Sequence, residues 1–207
     1  MAENPLEQTV FCPLLCGDLA ALEPQKVVNL AGAEKTPSGF KIPFLGADHL
    51  VNQDLKELTG PPTLRPVGFL KTMTVLSYLI KAAQGPAPGL SGQMVGGFEL
   101  PGGTMFFRGP HTLPVDQICD RFGQVPQELT TRALELGARS APPAAFVWRV
   151  LPFVELGVYL DPADEEFPAQ VQWTFDRHSR FYLALDGLWG LCHLVAAELT
   201  EVESLKL

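Results

Sequence analysis

The segment from Val67 to Gln84 constrains this chain more than any other. Phe69, Met73, Leu76 and Ile80 form one stripe at helical spacing, and Leu70, Val75 and Leu79 nearly close the circle. A helix that is apolar on most of its circumference has to sit at the centre of a fold, covered from several sides. Pro66 suits its first turn and Gly85-Pro86 is a stop, so the spacing predicts a central helix over 67–84. With 207 residues, 46% hydrophobic and 18% charged, the chain can build one ordinary core around it. The organisation expected is an N-terminal extension over 1–14, a single domain over 15–200 and a frayed tail over 201–207.

Elements that can cover this helix follow from pattern. Leu15–Val28 reads as a helix through Leu15, Leu19, Leu22 and Val27, with Gly32 as terminator. Phe40–Leu50 alternates around Gly46 as a hairpin with Ile42, Phe44 and Leu50 inward. Asp54–Pro66 has adjacent prolines and no period, so it reads as a loop. Val115, Ile118, Cys119 and Phe122 form a helix stripe between Pro114 and Gly123. Leu129, Ala133 and Leu136 form another, with Glu128 placed to pair with Arg132. Phe146–Val150, Val154–Leu160 and Gln170–Asp176 read as strands, the last two pairing antiparallel across the acidic loop Asp161–Pro168. In the third, Val171, Trp173 and Phe175 face one way, and Gln170, Gln172, Thr174 and Asp176 the other. Asp186 caps a closing helix with Leu188, Leu191, Cys192, Val195 and Leu199 as its stripe. Helices and strands are segregated rather than alternating, which makes the class α+β, an antiparallel sheet covered by helices.

Charge and cysteines narrow the chemistry. Lys and Arg number 15 against 23 Asp and Glu, a net charge of −8, with a pI of about 5.0. Binding of nucleic acid through a basic surface is not expected. The N-terminus lacks a basic region followed by an apolar stretch, and the apolar runs are interrupted by Lys71 and Lys81 or are too short to span a bilayer, so a cytoplasmic protein without a membrane segment is expected. Cys12 and Cys16 are four apart, and Cys119 and Cys192 fall on helix stripes. No second pair follows Cys12 and Cys16 at a metal-ligand spacing, so they read as small buried residues and no metal site is assigned. His49, His111 and His193 are isolated, and His193 flanks a helix stripe beside Trp189. Asp164-Glu165-Glu166 lacks the pattern of a calcium loop and reads as a solvated turn.

Two segments carry candidate sites. Seven of the 19 glycines (Gly85, Gly89, Gly92, Gly96, Gly97, Gly102 and Gly103) fall between residues 85 and 103. Their amides can cradle an anion, although neither a Walker A loop nor Gly-x-Gly-x-x-Gly is present. The competing reading is a tight inter-element loop that needs positive φ. Thr104–Arg108 reads as a short strand after it. Asp176 and His178 lie two apart, so on a continuing strand a carboxylate and an imidazole leave one face together. That is an acid–base pair, or a polar strand end.

Three stretches taken together carry a family resemblance: Leu90-Ser-Gly-Gln-Met-Val-Gly-Gly-Phe-Glu-Leu-Pro-Gly-Gly103, the Phe122-Gly123 helix end, and Asp164-Glu-Glu-Phe-Pro-Ala169 running on to Phe175-Asp176 and Tyr182-Leu183. From about Leu19 to Leu199 the chain resembles a prokaryotic domain of unknown function, family 3786. Glu99, Pro101, Gly102, Gly103, Phe167, Pro168, Asp176 and Tyr182 match that pattern. Met94 and Phe98 stand where the family tends to have an aromatic and an Arg, and Phe181 where it tends to have His. The family is often joined to an iron–sulfur module of the kind found in corrinoid proteins. The resemblance therefore implies corrinoid or one-carbon redox metabolism and an iron–sulfur or corrinoid protein as partner, by association only.

The expectation is an accessory domain that binds a small ligand or cofactor, or docks such a partner. Its site would lie between the glycine segment and the strand end, using Gly92, Glu99, Gly102, Gly103, Asp176, His178 and Tyr182. The alternatives are an enzyme working through Asp176 and His178, and a structural or oligomerising module.

Overall fold

A computed structural model describes residues 13–52, 57–60, 65–66, 68–141 and 145–200. In chain order the elements are α1 (Pro13–Ala20), α2 (Pro24–Ala31), β1 (Glu34–Thr36), β2 (Gly39–Phe44), β3 (Ala47–Asn52), β4 (Glu57–Gly60), β5 (Arg65–Pro66) and α3 (Phe69–Gln84). Then come β6 (Met94–Gly96), α4 (Gly103–Phe106), α5 (Val115–Phe122), α6 (Pro126–Glu135), β7 (Arg139–Ala141), β8 (Ala145–Leu151), β9 (Val154–Asp161), β10 (Gln170–Asp176), α7 (Ser179–Tyr182) and α8 (Leu185–Thr200). Short 3-10 turns cover Gly97–Glu99 and Gly109–His111.

The class is α+β, with two antiparallel sheets rather than one. The first is a meander in the order β1-β2-β3-β4-β5, and the second runs β6-β10-β9-β8-β7. They meet where the Leu45 amide, in the tight turn of the β2–β3 hairpin, donates to the Val150 carbonyl of β8 at 3.0 Å. The apolar helix α3 is central as its circumference demands: Val75, Leu76, Tyr78, Leu79 and Ala82 are wholly buried. It packs on α8, whose Leu188, Leu191, Cys192, Val195 and Ala196 are also wholly buried. The two helices approach closely at Gly190, where a Cβ would sit 3.0 Å from Leu70 Cδ1.

Several local expectations are corrected. The helix expected over 15–28 is two helices, because Pro24 has no N–H to give a preceding turn and instead opens α2. The central helix begins at Phe69 after an extended Gly68, while Pro66 pairs with Thr59 in β5. Part of the expected loop over 54–66 is therefore sheet. In the hairpin, Ile42 and Phe44 face inward, but His49 and Val51 face the core instead of Leu50, which lies opposite Lys41. His49 is accommodated by a bond from its Nδ1 to the Ala47 carbonyl at 3.0 Å and an edge contact with Phe44. Residues 104–108 turn as α4 rather than extending as a strand, and β7 lacked the apolar alternation that marks its neighbours. Glu128 pairs with Arg121 at 2.7 Å, one helix away, and Arg132 pairs with Glu135. Asp186 lies within the first turn of α8, which starts one residue earlier. Of the N-terminal extension expected over 1–14, Pro13 and Leu14 belong to α1, while residues 1–12, Cys12 included, and the tail over 201–207 lie outside the described residues.

Candidate functional site

The site grows from the end of β10. β6 pairs antiparallel with it, setting Thr174 opposite Gly96 and Asp176 opposite Met94. The alternation Val171-x-Trp173-x-Phe175 puts Asp176 on the face away from the core, yet its side chain is wholly buried. The reason is the glycine segment, which folds over the strand end. Asp176 Oδ1 accepts from the Ser91 amide at 3.1 Å and the His178 amide at 2.9 Å. Oδ2 accepts from the Ser91 amide at 3.0 Å, the Ser91 hydroxyl at 2.8 Å and the Gly92 amide at 2.9 Å. A carboxylate can be taken out of water only where donors of this number replace its hydration. Gly92 suits the loop because its φ is +71°, a left-handed conformation that a side chain would strain.

β10 stops at Asp176, so His178 is in a turn rather than on a strand. Asp176 is bonded to the backbone amide of His178, not to its imidazole. The ring Nδ1 lies 3.0 Å from the Gly89 carbonyl. A carbonyl only accepts, so the contact requires a hydrogen on Nδ1. Tyr182, one turn on, is wholly buried, and its hydroxyl accepts from the Gly89 amide at 2.7 Å. Burial raises the pKa of this phenol, and the Gly89 amide offsets only part of the rise. Its ring stacks between Phe153 and Tyr78, and Tyr78 in turn donates to the Ala31 carbonyl at 2.8 Å. Asp176, His178 and Tyr182 thus grip residues 89–92 from one side, Gly89 by both its amide and its carbonyl.

Glu99, Gly102 and Gly103 occupy an adjoining turn. Glu99 is exposed and its carboxylate accepts from the Gly96 amide at 2.7 Å. Gly102 has φ +83° and opens α4. Gly103 lies so close to the Gly97 carbonyl that no Cβ fits between them. The Thr104 hydroxyl donates to the Phe98 carbonyl at 2.9 Å, closing the turn on itself. On this rigid turn Phe98 is 61% and Met105 79% exposed. The structure therefore brings Gly92, Asp176, His178 and Tyr182 into one cluster and sets Glu99, Gly102 and Gly103 apart from it, beside the β6 edge. Ser91 is not among the residues expected at the site, and Gly89 is expected only as one glycine of the cluster; their partners lie more than eighty residues away, at Asp176, His178 and Tyr182. Among the described residues no group of three His, Cys, Asp or Glu side chains is placed to hold a metal ion. No helix among them is long and apolar enough to cross a membrane.

Fold and cluster define a class: an α+β domain of two antiparallel sheets in which a buried carboxylate clamps a glycine loop across the end of one sheet. The family model described as Domain of unknown function (DUF3786) matches residues 23–198, and the chain belongs to that family. No curated protein and no solved structure matches it.

Proposed function

We propose that this chain is a non-catalytic accessory domain that docks a partner protein through the turn over 96–107. One observation carries the reading. The polar groups gathered at Asp176 are spent on residues 89–92, while Phe98 and Met105 are held out to solvent on a turn fixed by glycines. Burying a large apolar side chain is worth about 1.5–3 kcal/mol, and a rigid display loses little conformational entropy on docking. The clamp supports the display: it fixes the segment leading into β6, and β6 leads into the turn. The partner class we propose is an iron–sulfur or corrinoid protein, the association the family resemblance implies, with a role in corrinoid-linked one-carbon redox metabolism.

The test is calorimetric titration of the full chain with a purified corrinoid iron–sulfur protein under anaerobic conditions. Saturable binding is expected, and a Phe98→Ala, Met105→Ala double variant, unchanged in circular dichroism, should lose it at least tenfold. Binding that is equally strong in the double variant would remove this surface from the account.

The acid–base reading requires the Asp176 carboxylate and the His178 imidazole to address one reactant together. In the structure they are bonded to different groups of the glycine loop, so no observation favours that reading over docking.

A further inference from the structure

α5, α6 and the last turn of α8 line a cleft of about 320 Å³. That is the lower end of the size range of small-molecule sites. Its floor is apolar, made by Phe122 and Leu199, which are 1% and 2% exposed. Its rim carries two ion pairs, Arg121–Glu128 at 2.7 Å and Arg132–Glu135 at 3.3 Å.

The two pairs are not equivalent. Arg132 is immobilised: its Nε and Nη2 donate to the Glu198 carbonyl at 3.3 and 3.1 Å, and its Nη1 goes to Glu135. Arg121 reaches Glu128 through Nη1 and lies over the Phe122 ring, and among the described residues its Nε and Nη2 face no other acceptor, a fork that suits a carboxylate. Glu135 uses Oε2 on Arg132, which leaves Oε1 for an ammonium group. One end of the cleft therefore offers guanidinium donors and the other a carboxylate oxygen, each beside its ion-pair partner. Glu128, which holds Arg121, and Glu135 lie two helical turns apart on α6, about 10 Å at 1.5 Å per residue. The described residues of the rim balance two arginines against two glutamates, so a ligand of a single charge would leave one end unmatched.

We propose that this cleft binds a short linear zwitterion, a peptide of about three residues. Its carboxylate would sit on Arg121, its ammonium group on Glu135 and an apolar side chain on Phe122 and Leu199. An extended residue spans about 3.3 Å, so three residues match the separation, whereas a free amino acid holds its charges too close together.

The probe is the tripeptide Ala-Leu-Ala, titrated into the isotope-labelled full chain and followed by amide chemical shifts. Saturable shifts are expected at Thr131, Glu135 and Thr200. Arg121→Ala and Glu135→Gln should each weaken binding at least tenfold. Both side chains are about half exposed, so the variants should keep the amide spectrum of the parent outside the cleft, and Glu135→Gln alone decides the matter if Arg121→Ala does not. The same peptide acetylated at its N-terminus and amidated at its C-terminus should not compete. Shifts that never saturate, a capped peptide that binds within twofold of the free one, or unchanged affinity in Glu135→Gln would each overturn the proposal.

Discussion

Replacing Asp176 by Asn keeps the side-chain volume and exchanges one acceptor oxygen for a donor NH₂. If the NH₂ takes the Oδ2 position, it meets the amides of Ser91 and Gly92, which donate there at 3.0 and 2.9 Å. If it takes the Oδ1 position, it meets the amides of His178 and Ser91 at 2.9 and 3.1 Å. Either orientation leaves two backbone donors facing a donor in a site that water does not reach. A hydrogen bond to a charged group contributes about 1.5–3 kcal/mol, so Asp176→Asn should cost about 3–5 kcal/mol. Against a total stability on the order of 5–15 kcal/mol, that is a large share. Urea unfolding should show a lower midpoint with an unchanged slope. Native-state hydrogen exchange should localise the damage: the amides of Ser91, Gly92 and His178 should lose more protection than those of β9. Ser91→Ala, which removes the hydroxyl's bond to Asp176 and the acceptor of the Gln93 amide but keeps the Ser91 amide, should cost less, about 1–2 kcal/mol. A loss below about 1 kcal/mol for Asp176→Asn, or protection lost evenly across the sheet, would refute the clamp.

Tyr182→Phe removes the acceptor of the Gly89 amide and should cost about 1–2 kcal/mol in the same unfolding assay, with faster exchange at Gly89. Gly103→Ala forces a Cβ against the Gly97 carbonyl and should cost about 3 kcal/mol in thermal unfolding, more than alanine at any open-loop glycine such as Gly68. His49 and His193 have pKa values lowered by burial, His49 further by Lys71. The unfolded chain therefore binds more protons than the folded one below about pH 6.5, the ordinary histidine value. Stability should be full above that pH and fall as the pH drops through it toward the folded values, and a His49→Gln, His193→Gln variant should show a flatter midpoint-versus-pH curve. Asp164 is held below the usual carboxylate range by the Phe167 and Glu166 amides, so its contribution is present above pH 3.8 and is lost at lower pH.

The parts legible in the sequence were those fixed by local periodicity. The stripe of α3, the hairpin read over 40–50, the alternation of β10 and the closing helix each announce their element locally. The segregated order of helices and strands then led to α+β. What periodicity could not show was that the hairpin belongs to a sheet of its own, since β4 and β5 are only four and two residues long and Pro66 ends the latter, nor β7, which has no alternation. Asp176 illustrates the limit at the site. Its alternation placed it correctly on the outer face of β10, and an outer face normally means solvent. Its burial depends on Ser91 and Gly92, more than eighty residues earlier, and such a tertiary contact leaves no local pattern. Likewise the Asp176–His178 spacing implied a shared face only if the strand ran on, and the Asp176 carboxylate itself ends it by capturing the His178 amide. The glycines between 85 and 103 are visible as a cluster, but not their division between a clamped loop over 89–92 and the start of a display turn over 96–107.

The most direct test of the docking account is native mass spectrometry with metal analysis, on the full chain purified anaerobically from its own host. The account predicts the 22.5 kDa chain in complex with a second polypeptide that carries iron or cobalt, and loss of that complex when Phe98 and Met105 are both replaced by Ala. A chain that is recovered alone, or a complex that survives the double replacement, would contradict it.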